Sequence, residues 1–216
     1  YPGIDLGEYS RPGSVGEIPG VGPDHKVVMY VGSIVHPNQG VPLLVESLPA
    51  VFERCPEARC VLVGGPASAG DDYRARLGEN ADKLIVLAGK TPDEVVALTR
   101  RADVLVHSRL ACRENFSVQS KLAVYLASGR PIVATDFADY ERLLGPTGAG
   151  RLVKESPASI ADGIVDVLTR PELAASLSAA TKGVAEEYFG MERNLDRYLE
   201  AYRQAMRSAR RRAFRR

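Results

Sequence analysis

The 216-residue sequence has no tryptophan, only three cysteines and only three histidines. Cys55, Cys60 and Cys112 are too few for a disulfide framework in a chain this long. With His25, His36 and His107 they give no zinc spacing either, so a reducing, cytoplasmic setting fits best. No uninterrupted apolar run approaches the roughly 18 residues of a membrane span, and no charged-then-apolar leader opens the sequence. Neither spanning nor secretion is expected. What is present, 45% hydrophobic and 25% charged residues, is the average of a soluble globular chain of one domain, at most two small ones. The formal charge of +1 hides an asymmetry, because Arg207 to Arg216 hold six arginines and no acid. Without those six, 22 basic side chains face 27 acidic ones, a charge of −5. An acidic body argues against nucleic-acid binding and leaves the tail to meet phosphates, lipid head groups or a protein partner. The sequence starts at Tyr1, in a stretch from Pro2 to Pro23 that holds ten glycines and prolines. Residues 1–25 therefore read as a linker leading in from another domain.

From Lys26 onward, short β-branched runs alternate with stretches of helical periodicity. Strands are expected at Val27–Val31, Cys60–Val63, Leu84–Leu87, Val104–Val106, Pro131–Ala134 and Arg151–Val153. Helices are expected between them at Leu43–Phe52, Tyr73–Leu77, Pro92–Arg101, Val118–Ala127 and Tyr140–Leu144. Three more follow near Ser159–Leu168, Glu172–Tyr188 and Glu192–Arg210, the last with the basic tail forming a unit of its own over 191–216. Short, uniformly apolar strands joined by helices define an α/β, Rossmann-like, doubly wound and mostly parallel sheet over residues 26–190, with helices at the C-terminus.

Ligands of such sheets bind beyond the carboxyl ends of the strands, so the loops after each strand carry the functional signal. Here they read Gly32-Ser33-Ile34-Val35-His36-Pro37-Asn38-Gln39-Gly40, then Gly64-Gly65-Pro66, then Gly89-Lys90-Thr91, then Ser108 through Ser117. Three of the four place a glycine directly after the strand, where a ligand or another backbone can approach closely.

In this order the motifs resemble the carboxy-terminal, donor-binding domain of retaining glycosyltransferases with the GT-B fold, family 4 (glycosyl transferases group 1) in particular. Tyr1-Pro2-Gly3-Ile4-Asp5-Leu6 resembles the interdomain linker of that family, Leu62-Val63-Gly64-Gly65-Pro66 its Val-Gly-x-Gly-Pro turn, and Leu87-Ala88-Gly89-Lys90 the loop whose backbone edges the nucleobase. Ala102 to Ser108 resembles the Ala-Asp-Val strand, and Ala127-Ser128-Gly129-Arg130-Pro131-Ile132-Val133-Ala134-Thr135-Asp136 the Ala-x-Gly-x-Pro-Val-Val-Ala-Thr-Asp signature. The resemblance implies transfer of a hexose from a nucleotide sugar, such as a UDP- or GDP-hexose, to a glycan, glycolipid or metabolite. It implies no metal and no further cofactor. It also implies an N-terminal acceptor-binding domain, expected to lie outside this sequence, so the chain alone is expected to bind nucleotide and not to transfer sugar.

In the family a Glu-x7-Glu pair spans a helix start, the first contacting the donor sugar and the second the ribose, with the intervening amides on the phosphates. Glu114-Asn115-Phe116-Ser117 resembles that opening, with the helix starting near Ser117 or Val118. The second glutamate falls at Val124, which offers no acceptor, and its eight-residue partner slot is Phe116 rather than Glu114. The phosphate-gripping Arg and Lys of the first loop, which begins at Gly32, are replaced by Ser33 and Gln39, and Lys121 is placed to supply the lost charge.

Two rival readings remain open. Val124, Ser33 and Gln39 together describe a degenerate GT-B domain that has lost donor chemistry and serves as a structural or partner-binding module. A nicotinamide-dependent oxidoreductase fits poorly, because no Gly-x-Gly-x-x-Gly follows the first strand. His36 is a candidate ligand contact, His107 reads as a hydrogen-bonded core or rim histidine, and Cys112 has no evident partner. The Arg-rich tail has three readings: a peripheral contact with the inner membrane surface, a contact with the acceptor domain, or a solvated terminus. An apolar surface left by the missing domain would favour homodimers.

Overall fold

A computed structural model of the chain describes residues 3–10, 13–111, 119–136 and 140–213. Six strands form one sheet: β1 (Lys26–Val31), β2 (Ala58–Val63), β3 (Leu84–Leu87), β4 (Val104–His107), β5 (Ile132–Thr135) and β6 (Arg151–Val153). Their spatial order is β3-β2-β1-β4-β5-β6 and every pairing is parallel. Parallel neighbours require crossovers, and these are α2 (Val41–Arg54), α3 (Ala69–Leu77), α4 (Pro92–Thr99), α5 (Ser120–Ser128) and α6 (Tyr140–Leu144). A short α1 (Leu6–Ser10) precedes the sheet, and α7 (Pro157–Thr169), α8 (Pro171–Tyr188) and α9 (Met191–Ala213) follow it.

The four inner strands β2, β1, β4 and β5 are buried on both faces, so alternate residues feed two cores, while the edge strands β3 and β6 are only partly covered. Val28, Tyr30, Cys60, Leu62, Val104 and Val106 pack with α2 and α7 on one side. Val27, Met29, Val61, Leu105 and Ile132 pack with α5, α6 and α8 on the other. This explains why the strands are continuous apolar runs without alternation. The α/β, doubly wound fold and its strands appear where the apolar pattern put them.

The helix ends differ where the chain is polar. Helix α3 opens at Ala69, four residues earlier than expected, because its first turn, with Asp71 and Asp72, carries no apolar signal. Helix α5 opens at Ser120, because Gln119 is extended (φ −79°, ψ 147°) and acts as its N-cap, and Ser117 and Val118, where the start was expected, lie outside the described residues. Pro92 sits in the first turn of α4, where Thr91 and Glu94 form a reciprocal capping box.

The stretch read as a linker is held against the body. Ile4 donates to Phe189 O (2.8 Å) and accepts from Met191 N (3.1 Å), and Gly16 donates to Ala97 O (2.8 Å). At the other end α9 leaves the body after the buried Asn194, and Leu195, Tyr198, Leu199, Tyr202 and Met206 are all exposed. Their spacing puts them on one helical face. No helix among the described residues is long and apolar enough to cross a membrane.

Candidate functional site

The chain runs outward from β1 to β3 and then returns to β4 on the other side of β1, so β1 and β4 flank the switch point, the place where sheets of this kind bind ligands. The β1–β4 ladder pairs only Val28 with Val104 and Met29 with Leu105. Beyond it Tyr125 of α5 takes over: its hydroxyl accepts from Val31 N–H at 2.8 Å and lies 3.4 Å from Val106 O. Burial pushes that phenol well up, so it stays neutral.

The loops after β1 and β4 are stitched together over the switch point. Leu110 donates to Asn38 O at 3.2 Å, and the Ser108 hydroxyl to Gln39 O at 3.2 Å. Gly40 (φ +65°) makes this approach possible, since a Cβ there would stand 1.6 Å from Ser108 O. Gly64 plays the same part beside β2, where a Cβ would stand 1.9 Å from Gly32 O.

Lys121, in the first turn of α5, reaches into this corner. Its ammonium donates to Gln39 Oε1 (2.5 Å) and to the Tyr30 hydroxyl (2.6 Å), and lies 4.2 Å from the centroid of the Tyr30 ring. The Tyr30 hydroxyl in turn donates to Ser33 O at 3.0 Å. Burial, and then the charge of Arg109, pull the Lys121 pKa down to about 7. No salt bridge of Lys121 to a carboxylate occurs among the described residues. Gln119 gives the N-terminus of α5 no side-chain cap, and the positive end of the helix dipole there favours an anion.

Below this corner, Arg109 is fully buried and its charge acts on Tyr30, His107, Lys121 and Tyr140. His107 Nε2 lies 3.1 Å from the Tyr140 hydroxyl. Burial, followed by the Lys121 and Arg109 charges, holds the imidazole well below its usual 6.5, so His107 is a neutral core histidine and not a base. The unfolded chain binds a proton at His107 as pH falls below 6.5, while the folded chain refuses it. Stability is therefore expected to fall with acidification from 6.5 down to the folded pKa, by up to about 1.4 kcal/mol per pH unit. Urea unfolding at pH 7.0 and 5.5 checks this. His107→Gln should lose that slope, and an equal slope in the variant would reject the assignment.

The structure thus gathers Gly32, Ser33, Gln39, Gly64 and Lys121 in one corner. Val124 lies one turn further along α5, half-buried against the core with no polar atom to offer. Gly89 and Lys90 lie two strands away from β1, beyond β3, and the Lys90 ammonium pairs with Glu94 of its own helix at 2.9 Å. His36 is exposed in the loop after β1. Glu114, Asn115, Phe116, Ser117, Val118 and Cys112 lie outside the described residues. Tyr30, Tyr125 and Arg109 belong to the site and were missed by the motif reading. The two tyrosines look like ordinary members of apolar runs, and the signal for Arg109 is an arginine two residues after a strand.

Residues 25–170 match the family described as glycosyl transferases group 1, and the chain belongs to that family. It is similar to the phosphatidyl-myo-inositol mannosyltransferase of Mycobacterium tuberculosis H37Rv, 28% identical over 192 residues, which cover 86% of this chain and 48% of that protein. It is 27% identical over 166 residues to the protein of the same name from Mycobacterium leprae, covering 76% and 42%. The chain spans about half the length of the curated relatives it matches. Among solved structures it shares its fold with Anabaena HepE in complex with UDP and glucose (TM-score 0.72, 17% identity, 94% of this chain and 55% of that one). It also shares it with a glycosyltransferase from Rickettsia africae (TM-score 0.74, 15% identity, 95% and 56%).

Proposed function

We propose that the chain is the donor-binding half of a retaining, metal-independent glycosyltransferase that moves a hexose from a nucleoside diphosphate to a glycan, glycolipid or metabolite. The observation that carries this is the corner at the switch point. There a half-buried lysine without a described carboxylate partner, a buried arginine and the N-terminus of α5 meet over two glycines. Negative charge builds on the leaving diphosphate, and fixed donors in a partly dry site stabilise it without rearrangement. The positive charge of the side chains and the helix supports the metal-independent part of this reading. On the family resemblance, Glu114 contacts the donor sugar. The names of the mycobacterial relatives and the UDP and glucose bound to HepE support a nucleotide-sugar donor, and the former a lipid-linked acceptor.

Titration calorimetry with UDP, GDP and ADP, bare and with a sugar attached, in EDTA, is the test. Saturable binding of one base is expected, and its absence for all would favour the degenerate module. Glu114→Ala should weaken a nucleotide sugar more than the bare diphosphate, and equal loss would remove Glu114 from the sugar site.

Within this reading, 1–25 is the interdomain linker, 26–190 the donor domain and 191–216 the crossover helix with its basic tail. The exposed stripe of α9 is covered by the acceptor-binding half, for which the relatives' lengths leave room. Alone, the chain is expected to form homodimers at high concentration through that stripe. Leu199→Glu with Tyr202→Glu should restore a monomer in sedimentation velocity, and a wild-type chain that is monomeric throughout would count against it. The tail arginines add about 1 kcal/mol each at an anionic bilayer surface, which suits a cytoplasmic enzyme working at the inner membrane face.

A further inference from the structure

We infer that Lys121 binds the donor's diphosphate as a proton-loaded ligand, with Tyr30 as its positioning residue. The amine at Nζ takes a proton from solvent as the diphosphate arrives and returns it to solvent when the diphosphate leaves. This rests on the donor-site reading above and concerns how that site is controlled.

The geometry sets the conditions. The acceptors of Lys121 Nζ, Tyr30 Oη and Gln39 Oε1, are neutral oxygens. The Gly32 backbone closes one side, where an added Cβ would stand 2.6 Å from Nζ. The described titratable groups on the elements packed around it are Tyr30 on β1, Tyr125 on α5, His107 on β4, Arg109 in the loop after β4 and Tyr140 on α6, while Arg113 and Glu114 lie outside the described residues. Burial raises the three phenols and lowers the imidazole, so all four are neutral near pH 7. Both described acceptors of the half-buried ammonium are thus uncharged, and burial and then the Arg109 charge act against its charged form. That is the physical cause of a Lys121 pKa of about 7.

A diphosphate supplies the missing negative charge and lifts that pKa again. Between the free and the bound values, each binding event takes up a proton, and affinity falls as pH rises. The Tyr30 hydroxyl accepts from Nζ while donating to Ser33 O, so the nitrogen is held in one place in either protonation state. The hydroxyl favours the charged form, because an acceptor gains more from an ammonium than from an amine.

Calorimetry of this chain with UDP-glucose and GDP-mannose, in two buffers of different ionisation enthalpy at each pH, MES and histidine at pH 6.0 and HEPES and Tris at pH 8.0, counts the protons. The phosphates of a nucleotide sugar hold constant charge over that range. For the sugar that binds, uptake approaching one proton is expected at pH 8.0 and close to none at pH 6.0, with Kd rising by up to about tenfold per pH unit above 7. Lys121→Arg keeps its charge throughout and should bind without proton uptake and without pH dependence. Tyr30→Phe should move the midpoint of the affinity profile to lower pH, and an unchanged midpoint would remove Tyr30 from its positioning role. Binding with no proton uptake at pH 8.0 overturns the inference and leaves the donor site standing. Failure of both sugars to bind at pH 6.0 overturns both. On the free chain, a side-chain NMR titration of Lys121 with a midpoint near 10 would also overturn it.

Discussion

Lys121→Met is expected to weaken binding of the nucleotide sugar by roughly thirtyfold at pH 6.5, about 2 kcal/mol for a lost hydrogen bond to a charged group. The same substitution should leave the free chain as stable or more stable, by an amount on the order of 1 kcal/mol at pH 7. The ammonium it removes is half-buried, sits beside Arg109 and has no salt bridge to a described carboxylate, so its charge costs more in the folded chain than in the unfolded one. Methionine keeps most of the volume and flexibility of the stem, and the Tyr30 hydroxyl retains Ser33 O and Gln39 Oε1 as acceptors. The pH dependence has a definite sign. Unfolded Lys121 titrates near 10.5 and folded Lys121 near 7, so the unfolded state binds more protons between these values and wild-type stability rises with pH across that window. Lys121→Met should lose that rise. Thermal unfolding at pH 7 together with calorimetry checks both halves. Opposite signs for binding and stability mark a residue kept for its ligand, whereas a loss of both would mark a structural lysine.

Gly40→Ala should lower stability by about 3 kcal/mol. A side chain at φ +65° costs roughly 1–2 kcal/mol, and the clash of its Cβ with Ser108 O, a backbone atom that cannot swing away, adds roughly 1–3 kcal/mol. At about 2–4 °C per kcal/mol for a chain of this size, the midpoint should fall by roughly 6–12 °C. Gly20→Ala is the control, because φ is +76° there but nothing lies within 4 Å of the added atom, so only the backbone term of about 1 kcal/mol applies. A Gly40→Ala midpoint no lower than that of Gly20→Ala would mean that the two loops part at no cost. Relief of the clash must separate the loop after β1 from the loop after β4, and Gln39 and Ser33 move with it. The substitution should therefore also weaken nucleotide binding in the folded chain.

The fold was legible because burial on both faces leaves a coarse mark. A strand such as Val27–Val31 has no polar position to confuse, and the helices between strands repeat at 3.6 residues. Legibility failed where side chains make no apolar contact. The first turn of α3 was hidden by Asp71 and Asp72, and the start of α5 was placed too early because an extended Gln119 differs from a helical one only in its backbone. At the site, the loop positions were found because ligand loops follow strand ends, and Gln39 and Lys121 were both singled out although 82 residues part them. That the two touch was not in the sequence. Nor was the part played by Tyr30 and Tyr125, whose rings belong to apolar runs while their hydroxyls serve the site.

The sequence by itself determined the local and periodic properties of the chain: the order of strands and helices, the glycine turns, the charge gathered at the tail and the family motifs. These follow from short-range sterics and from apolar spacing, which any stretch of chain carries with it. The tertiary structure alone decided which groups meet. It chose the strand order that sets the switch point beside β1, brought Ser108 against Gly40, and laid the Lys121 ammonium over Tyr30 in a corner where no carboxylate is described. The last of these changes the chemistry, because the charge of a lysine depends on the solvent and the neighbours it keeps, and residues distant in sequence supply both.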